Sequence, residues 1–529
     1  MTSDSPTEEL PIVRAKSKPR ASYRLAGNYF AQLFNQLVRI GWMLLLVPLY
    51  LAVWGPETYK DWIVIVALAT FLASCNLGLT SYFGNRFIEL VARHDHDAFR
   101  RELRKSLCCT LGVGAIVVVA GLGLILAYHL KGGLSTGGMT EAAFLGCLLL
   151  VAFPVPLSFW EETLVTIYRA QGEFTRGECV FAIHLTTLLV TVAALLALRM
   201  PPLVVASCFP IIQMMVLTGV FVDLRRRYED ITIGLAVPSL AELRRIMPQA
   251  LLFFTAPLVM ALVQSGPIML FQLFGVAAVP IIGYTLMRTV TGLARQAAYA
   301  FAVGSGIEMA RHEVRGEREA CQQLYQITGK IVTGLAGLFG GFTLWAAGPF
   351  LLLWTHGTVV GDWALVLAFL GGILLSAPGQ AGLMLLTYAN FPRPLAVAWC
   401  TQAALGLTLA AAFIPFFGVA AAALSLAVAE ILWIGLYVPF VVQRLFRFSA
   451  AQQLMRCFAV GVPVFAWSAL VAKFAFELSL GGFLGLIATA ALWSVLAVPP
   501  CVLIVLPPQY KRTLLSRLRR FARARPKLV

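Results

Sequence analysis

The sequence has 529 residues, of which 59% are hydrophobic and only 12% are charged, and its mean hydropathy is +0.82. A soluble globular protein carries roughly 25% charged residues, so this composition excludes a chain built mainly of water-soluble domains. The formal net charge of +16 would suggest a nucleic-acid partner in a soluble protein. Here apolar runs of about 20 residues or more, long enough to cross a bilayer, follow one another along almost the whole chain. We therefore expect an all-α integral membrane protein that does not bind nucleic acid.

Taken in chain order, the apolar runs predict about fourteen transmembrane helices. The predicted spans are 28–53, 61–83, 107–130, 141–168, 179–199, 203–222, 247–272, 280–304, 329–353, 362–388, 395–416, 419–442, 457–476 and 483–507. In this order most of the 41 lysine and arginine residues fall in segments on one side of the membrane. The other side receives Lys60, Lys131, Arg199 and Lys473. This asymmetry follows the positive-inside rule and predicts that both termini are cytoplasmic.

Three short stretches recur at an offset of about 220 residues, which indicates an internal repeat of the kind common in transporters. The matching pairs are Val53–Gly55 with Leu273–Gly275, Ala92–Asp95 with Ala310–Glu313, and Leu164–Tyr168 with Met384–Tyr388. The repeat unit holds six spans, an even number, so the second copy enters the membrane from the same side as the first. The two copies should therefore be parallel and related by an axis along the membrane normal. We expect two six-helix lobes around a central cavity, with the substrate path in the seam between them.

The repeat and the charge distribution together predict how the chain is divided. The expected parts are a basic cytoplasmic N-terminus at 1–27, an N-lobe with its inner loop at 28–246, a C-lobe at 247–456, two extra spans at 457–507 and a basic cytoplasmic tail at 508–529. A basic segment next to a membrane attracts anionic lipid, which is the partner we expect for the tail. Within the ninth span, the spacing of Gly337 and Gly341 predicts close contact with another helix.

Arginines lie where the bilayer interior is expected: Arg39 in the first span, and Arg288 and Arg295 in the eighth. Each costs roughly 2.5–3.5 kcal/mol at a helix centre, so such residues should face a bundle interior or a water-filled cavity. Guanidinium groups suit phosphate and carboxylate, which favours an anionic substrate such as a lipid-linked diphosphate. The candidate substrate-binding residues are Arg39, Arg288, Arg295, Asn35, Gln36 and Gln264. An alternative for the arginines is that they snorkel or pair with a glutamate.

Three glutamates within the predicted spans, Glu161, Glu162 and Glu430, are candidates for ion coupling. Two of them stand near the inner end of the fourth span, where they could instead cap the helix beside Arg169. Glu430 lies in the middle of the twelfth span, and the alternative there is an ion pair with an arginine. No catalytic residue, metal site or cofactor is predicted, and we do not expect an enzyme.

Several short motifs stand together in the first two predicted spans and the loop that follows. They are Gly27-Asn28, Trp54–Glu57 with Trp62, Asn76–Leu79, and Asn85-Arg86. With these motifs, residues 25–106 resemble the start of the polysaccharide (oligosaccharide-lipid) flippases of the multidrug/oligosaccharidyl-lipid/polysaccharide (MOP) exporter superfamily. One departure is Asn76, because members of that family often carry an acid there, so a role of that acid does not carry over.

The resemblance implies transbilayer movement of a polyprenyl-diphosphate-linked oligosaccharide by alternating access, for assembly of O-antigen, capsule or exopolysaccharide. It implies a location in the bacterial inner membrane, with a glycan polymerase and glycosyltransferases as partners. Two alternatives stay open at the level of the sequence. One is a drug or metabolite antiporter of the same fold, and the other is a membrane scaffold that gathers glycan-assembly enzymes without transporting anything.

Overall fold

The computed structural model describes residues 21–93, 95–130, 136–228, 234–389, 391–478 and 481–505, and all regular elements in these ranges are helices. Helices are expected because a segment surrounded by lipid must pair its backbone N–H and C=O groups internally. In chain order they are α1 (Ala21–Ser74), α2 (Leu79–Ala92), α3 (His96–Leu130), α4 (Glu141–Ala152), α5 (Val155–Ala170), α6 (Phe174–Ala197), α7 (Pro202–Arg227), α8 (Leu240–Leu273), α9 (Ala278–Val314), α10 (Arg318–Trp354), α11 (Trp363–Tyr388), α12 (Pro392–Glu430), α13 (Val438–Phe446), α14 (Ala450–Glu477) and α15 (Gly482–Val505). A π-helical segment, Ile431–Tyr437, joins α12 to α13.

Among the described residues, ten helices are long and apolar enough to cross a membrane, or eleven if one bent pair counts as a single span. The described part of every predicted span is mainly helical, with breaks at 75–78 in the second span and 153–154 in the fourth, and the predicted all-α membrane class is confirmed. Two helices are longer than one span because each turns at a glycine with a positive φ, Gly55 at 73° and Gly418 at 60°. Only glycine adopts such a conformation without strain, so α1 and α12 each contain one predicted span and the first part of the next.

The second predicted span is interrupted between α1 and α2, whose axes meet at 41°. Gly78, just before α2, has a φ of 71° and lies against the backbone of α8. A β-carbon at this position would come within 2.1 Å of the carbonyl oxygen of Ala250, so a larger residue would push the two helices apart. The break therefore brings the N-lobe into direct backbone contact with the first helix of the C-lobe.

Helix α8 packs against the N-lobe along much of its length. The largest buried cluster combines Leu46 and Trp62 of α1 with Phe271 of α8. Nearer the other end of α8, Ala250 joins a second cluster around Phe83 of α2. In lipid, where apolar burial gives little driving force, such contacts hold helices together by van der Waals packing.

Two sets of polar contacts stabilise opposite ends of the N-lobe, one between a loop and a helix and the other between two helices. At the predicted outer end, the buried carboxylate of Asp61 accepts hydrogen bonds of 2.9–3.1 Å from the consecutive amides of residues 137–139. At the predicted inner end, Lys105 of α3 donates to Glu242 of α8, which also forms a capping box with Ser239. The second contact ties α3 to the first turn of α8, the helix that leads into the C-lobe.

The last two helices are attached to the C-lobe mainly through α10. Gly337 and Gly341 of α10 face α14, and a β-carbon at Gly337 would lie 2.6 Å from the carbonyl oxygen of Gly461. The predicted close helix contact at this pair of glycines is confirmed. It allows α14 to approach the α10 backbone directly, a common way of packing helices in lipid.

Candidate functional site

A cavity of about 320 Å³ lies inside the C-lobe between α8, α9, α11 and α12. Its polar lining includes Gln264, Arg288, Arg295, Gln402 and Glu430, and aromatic and aliphatic side chains complete the wall. Residues from three helices that are far apart in sequence therefore meet at one site. All of the lining residues belong to C-lobe helices, although the sequence suggested that the arginines would stand in the seam between lobes.

Arg295 and Glu430 form a two-pronged ion pair across this cavity. The two terminal guanidinium nitrogens of Arg295, Nη1 and Nη2, donate to the carboxylate at 2.8 Å, and the Ser376 hydroxyl donates to the same carboxylate at 2.8 Å. The Glu430 side chain is 7% exposed, whereas that of Arg295 is 43% exposed. The carboxylate is thus neutralised and enclosed, while the guanidinium keeps a face toward the cavity. An ion pair with an arginine was one of the two interpretations that the sequence left open for Glu430.

Arg288 stands two helical turns earlier on the same face of α9 and has a different environment. One of its terminal nitrogens donates to the backbone oxygen of Gln264 at 2.8 Å. Among the described residues it forms no ion pair with a carboxylate. The cavity therefore carries two guanidinium groups and one carboxylate in its described lining, an excess of one positive charge.

The other predicted substrate-binding residues stand on the first half of α1. The side chains of Asn35, Gln36 and Arg39 lie outside the described residues, and the lining given above therefore does not include them. Gln264, Arg288 and Arg295 are the predicted residues that the structure brings together.

A second polar cluster lies inside the N-lobe around Glu161. This side chain is 2% exposed, accepts a 2.7 Å hydrogen bond from the Gln213 amide, and lies 3.0 Å from His184 Nδ1. The interpretation of Glu161 as a cap at the membrane surface is wrong, because it stands in the middle of α5 and points toward α6 and α7. Arg169, the expected neighbour, lies 3.9 Å from Glu178.

Glu162 turns to the other side of α5, toward the break between α1 and α2. The amide of Asn76 donates to its carboxylate at 3.4 Å and to the Thr80 hydroxyl at 3.1 Å. The polysaccharide flippases that the sequence resembles often carry an acid at this place in the second span. This chain has Asn76 there, and its amide lies within hydrogen-bond distance of Glu162 from α5. Sequence reasoning missed His184 and Gln213, although a histidine inside an apolar span is itself unusual.

No protein-family model and no curated protein matches the chain. Solved structures do resemble it. The lipid II flippase MurJ in an inward closed conformation has a TM-score of 0.62 and 12% identity, covering 94% of this chain and 100% of that one. An inward-facing multidrug resistance transporter of the MATE family and MOP superfamily has a TM-score of 0.59 and 15% identity, covering 81% and 99%.

A third similar structure is a MOP superfamily transporter from Pyrococcus furiosus, described as having a binding pocket of reverse polarity. Its TM-score is 0.51 at 14% identity, and the match covers 80% of this chain and 95% of that one. Identities this low establish the fold and nothing finer. The chain is a multi-pass membrane protein with the fold of the MOP superfamily transporters.

Proposed function

We propose that this protein moves an anionic, lipid-linked substrate across the membrane by alternating access. The substrate we propose is a polyprenyl-diphosphate-linked oligosaccharide used to assemble O-antigen, capsule or exopolysaccharide. One observation carries the proposal: Arg288 lines the C-lobe cavity beside Arg295 and forms no ion pair among the described residues. Because a guanidinium group in a membrane interior is costly, its presence on a cavity favours a role in binding an anion.

The size of the cavity is consistent with binding only part of such a substrate. About 320 Å³ is at the small end of the range for small-molecule pockets. A diphosphate headgroup would occupy it, with the polyprenyl chain in lipid and most of the glycan outside the C-lobe. Guanidinium donors would replace the water around the phosphates with fixed hydrogen bonds. A lipid-linked substrate is also compatible with the fold shared with a structure named as a lipid II flippase.

Substrate binding and ion coupling meet at Glu430 in this proposal. If a phosphate draws Arg295 away, Glu430 loses its counter-charge while remaining enclosed by α11 and α12. An enclosed carboxylate that loses its counter-charge needs another cation beside it, which is the proposed link between substrate binding and ion coupling. Glu161 with His184, and Glu162 with Asn76, are further coupling candidates in the N-lobe.

The expected setting follows from the same proposal. The protein would lie in the bacterial inner membrane with both termini in the cytoplasm. The basic tail at 508–529 would contact anionic lipid, and a glycan polymerase and glycosyltransferases would act before and after transport. The protein itself would make or break no covalent bond.

The test replaces Arg288 in cells that lack their own copy of the gene and measures surface polysaccharide by gel electrophoresis. We expect R288Q to lose most of the exported polysaccharide and R288K to retain part of it. R199Q is the matched control, because Arg199 is an exposed arginine at the predicted outer end of α6 and does not line the cavity. Export by R288Q at the level of R199Q would contradict the proposal, provided that both variants reach the membrane in equal amounts.

A cation or drug antiporter is the second candidate, favoured by the buried acids of the N-lobe and by the fold shared with a multidrug transporter. It predicts that cells expressing the protein expel a cationic dye. R288Q should leave such efflux intact, whereas E161Q should abolish it. Dye efflux without any effect on surface polysaccharide would replace the flippase proposal with this one.

A further inference from the structure

A groove of about 730 Å³ opens at the end of the C-lobe that the charge distribution predicts to be cytoplasmic. It lies between the first turn of α12 and helix α13. Its apolar wall and its two basic side chains come from Phe391, Pro394, Val441, Leu445, Arg393 and Arg444. It is separate from the cavity around Arg295, which shares none of these residues.

The groove carries positive charge that the described residues do not neutralise. Arg393 and Arg444 are both exposed, and neither forms an ion pair with a described carboxylate. Arg393 also stands in the first turn of α12, where no side chain caps the helix. The free amides at a helix N-terminus add a partial positive charge to that of the guanidinium group.

The equivalent groove of the N-lobe shows the opposite arrangement. It lies between α6 and α7, has a volume of about 1150 Å³, and has an apolar wall as well. There Asp223 accepts two hydrogen bonds from Arg176 and one from the Tyr168 hydroxyl. Arg227 lies 3.4 Å from Glu173. Arg176 and Arg227 are therefore paired with carboxylates, whereas the exposed Arg225 and Arg226 at the end of α7 form no ion pair with a described carboxylate.

The internal repeat relates the two grooves to each other approximately. Arg393 stands about 220 residues after Glu173, the repeat offset, and Arg444 stands about 220 residues after Asp223. Near this offset, the groove of the C-lobe has two arginines in its lining, whereas the lining of the N-lobe groove includes Glu173 and Asp223.

We propose that the groove between α12 and α13 binds an anionic phospholipid of the cytoplasmic leaflet. The lipid phosphate would contact Arg393 and Arg444, and an acyl chain would lie along Phe391, Val441 and Leu445. A membrane lipid fits better than a soluble anion because the groove combines a basic rim with an apolar wall. Basic pockets between helices on the cytoplasmic side are a recurrent setting for anionic headgroups.

A lipid bound in this groove would affect the Arg295–Glu430 pair through the π-helical segment. Tyr437, which also lines the groove, ends the π-helical segment that begins directly after Glu430. A lipid against Tyr437 would therefore restrain the segment that connects the groove to the Arg295–Glu430 pair.

Native mass spectrometry of the full-length protein in detergent tests the proposal, with phosphatidylglycerol and phosphatidylcholine as probes. We expect the wild type to prefer phosphatidylglycerol. At about a fivefold effect for each basic side chain, R393Q/R444Q should weaken phosphatidylglycerol binding about 25-fold and leave phosphatidylcholine binding unchanged. R393K/R444K should keep the preference. R225Q/R226Q is the matched control, because it removes the same charge at the inner end of α7, and it should bind as the wild type does.

The proposal is overturned if R393Q/R444Q elutes as a folded, monodisperse protein and still binds phosphatidylglycerol with wild-type affinity. An equal loss in R225Q/R226Q would also overturn it, because the effect would then be one of total charge. Displacement of phosphatidylglycerol by soluble glycerol phosphate at comparable concentration would assign the site to a soluble anion. None of these results depends on whether the protein transports a glycan.

Discussion

The Arg295–Glu430 pair should make its two single substitutions differ in cost. R295Q leaves the Glu430 carboxylate, which is 7% exposed, without a counter-charge and with one remaining hydrogen bond from Ser376. E430Q leaves an arginine that is 43% exposed and can be hydrated from the cavity. Because an enclosed charge without a partner is far more costly than a hydrated one, R295Q should destabilise the protein more.

The magnitudes follow from the exposure of each partner. Removing one partner of a fully buried pair costs about 3–5 kcal/mol. Because the pair is only partly enclosed, we expect the cost of R295Q in free energy of unfolding to be lower, about 2–3 kcal/mol. For E430Q, water replaces most of the lost contacts, and we expect about 1 kcal/mol, as for a partly exposed pair. The expected difference between the two variants is therefore about 1–2 kcal/mol.

Denaturant titration of the purified protein in mixed micelles measures these free energies of unfolding, and the double variant R295Q/E430Q completes a cycle. S376A serves as a control that removes one hydrogen bond at the same site and should cost about 1 kcal/mol. If E430Q proved equally or more destabilising than R295Q, the reasoning from burial would be refuted. A cycle without coupling would show that the two side chains do not interact.

Three further predictions concern the packing of the fold. D61N should lower the free energy of unfolding by about 1–3 kcal/mol, since a buried amide oxygen cannot serve the N–H groups of residues 137–139 as a carboxylate does, and thermal unfolding would detect this. G341L should separate α10 from α14 and reduce cross-linking between cysteines introduced on the two helices, whereas G371L, at a position with open space, should not. A hydrogen bond from Lys105 and a weaker contribution from the Ser239 backbone amide lower the pKa of the Glu242 carboxyl to about 2. The stabilising effect of Glu242 should therefore be complete above about pH 5 and disappear as the pH falls toward 2, and E242Q should flatten this part of the pH profile of thermal stability.

The spans and the helix contact at Gly337 were predictable because both depend on local patterns. Continuous apolar stretches identify helices in lipid, and glycines four residues apart identify a face that another helix can approach. The seven-residue spacing of Arg288 and Arg295 likewise predicts a shared helix face. These features need no knowledge of what lies opposite.

The partners across the site were not predictable from such patterns. Arg295 and Glu430 are 135 residues apart in the sequence, and helical periodicity does not specify which helices face each other. For the same reason the environment of Glu161 was misjudged, since its burial depends on how α6 and α7 enclose α5. The location of the arginine cavity within one lobe, too, depends on the packing of four helices around it.

The π-helical segment after Glu430 has a mechanical consequence. Each π-helical turn accommodates one residue more than an α-helical turn, and such segments often stand at functional sites. Conversion of Ile431–Tyr437 to a regular α-helix would rotate everything beyond it by about 100° relative to Glu430. A β-carbon on Gly379 of α11 would lie 1.7 Å from the carbonyl oxygen of Ile434. Only glycine at this position of α11 leaves room for the π-helical segment. A single glycine in α11 thus gives the π-helical segment the room it occupies beside Glu430.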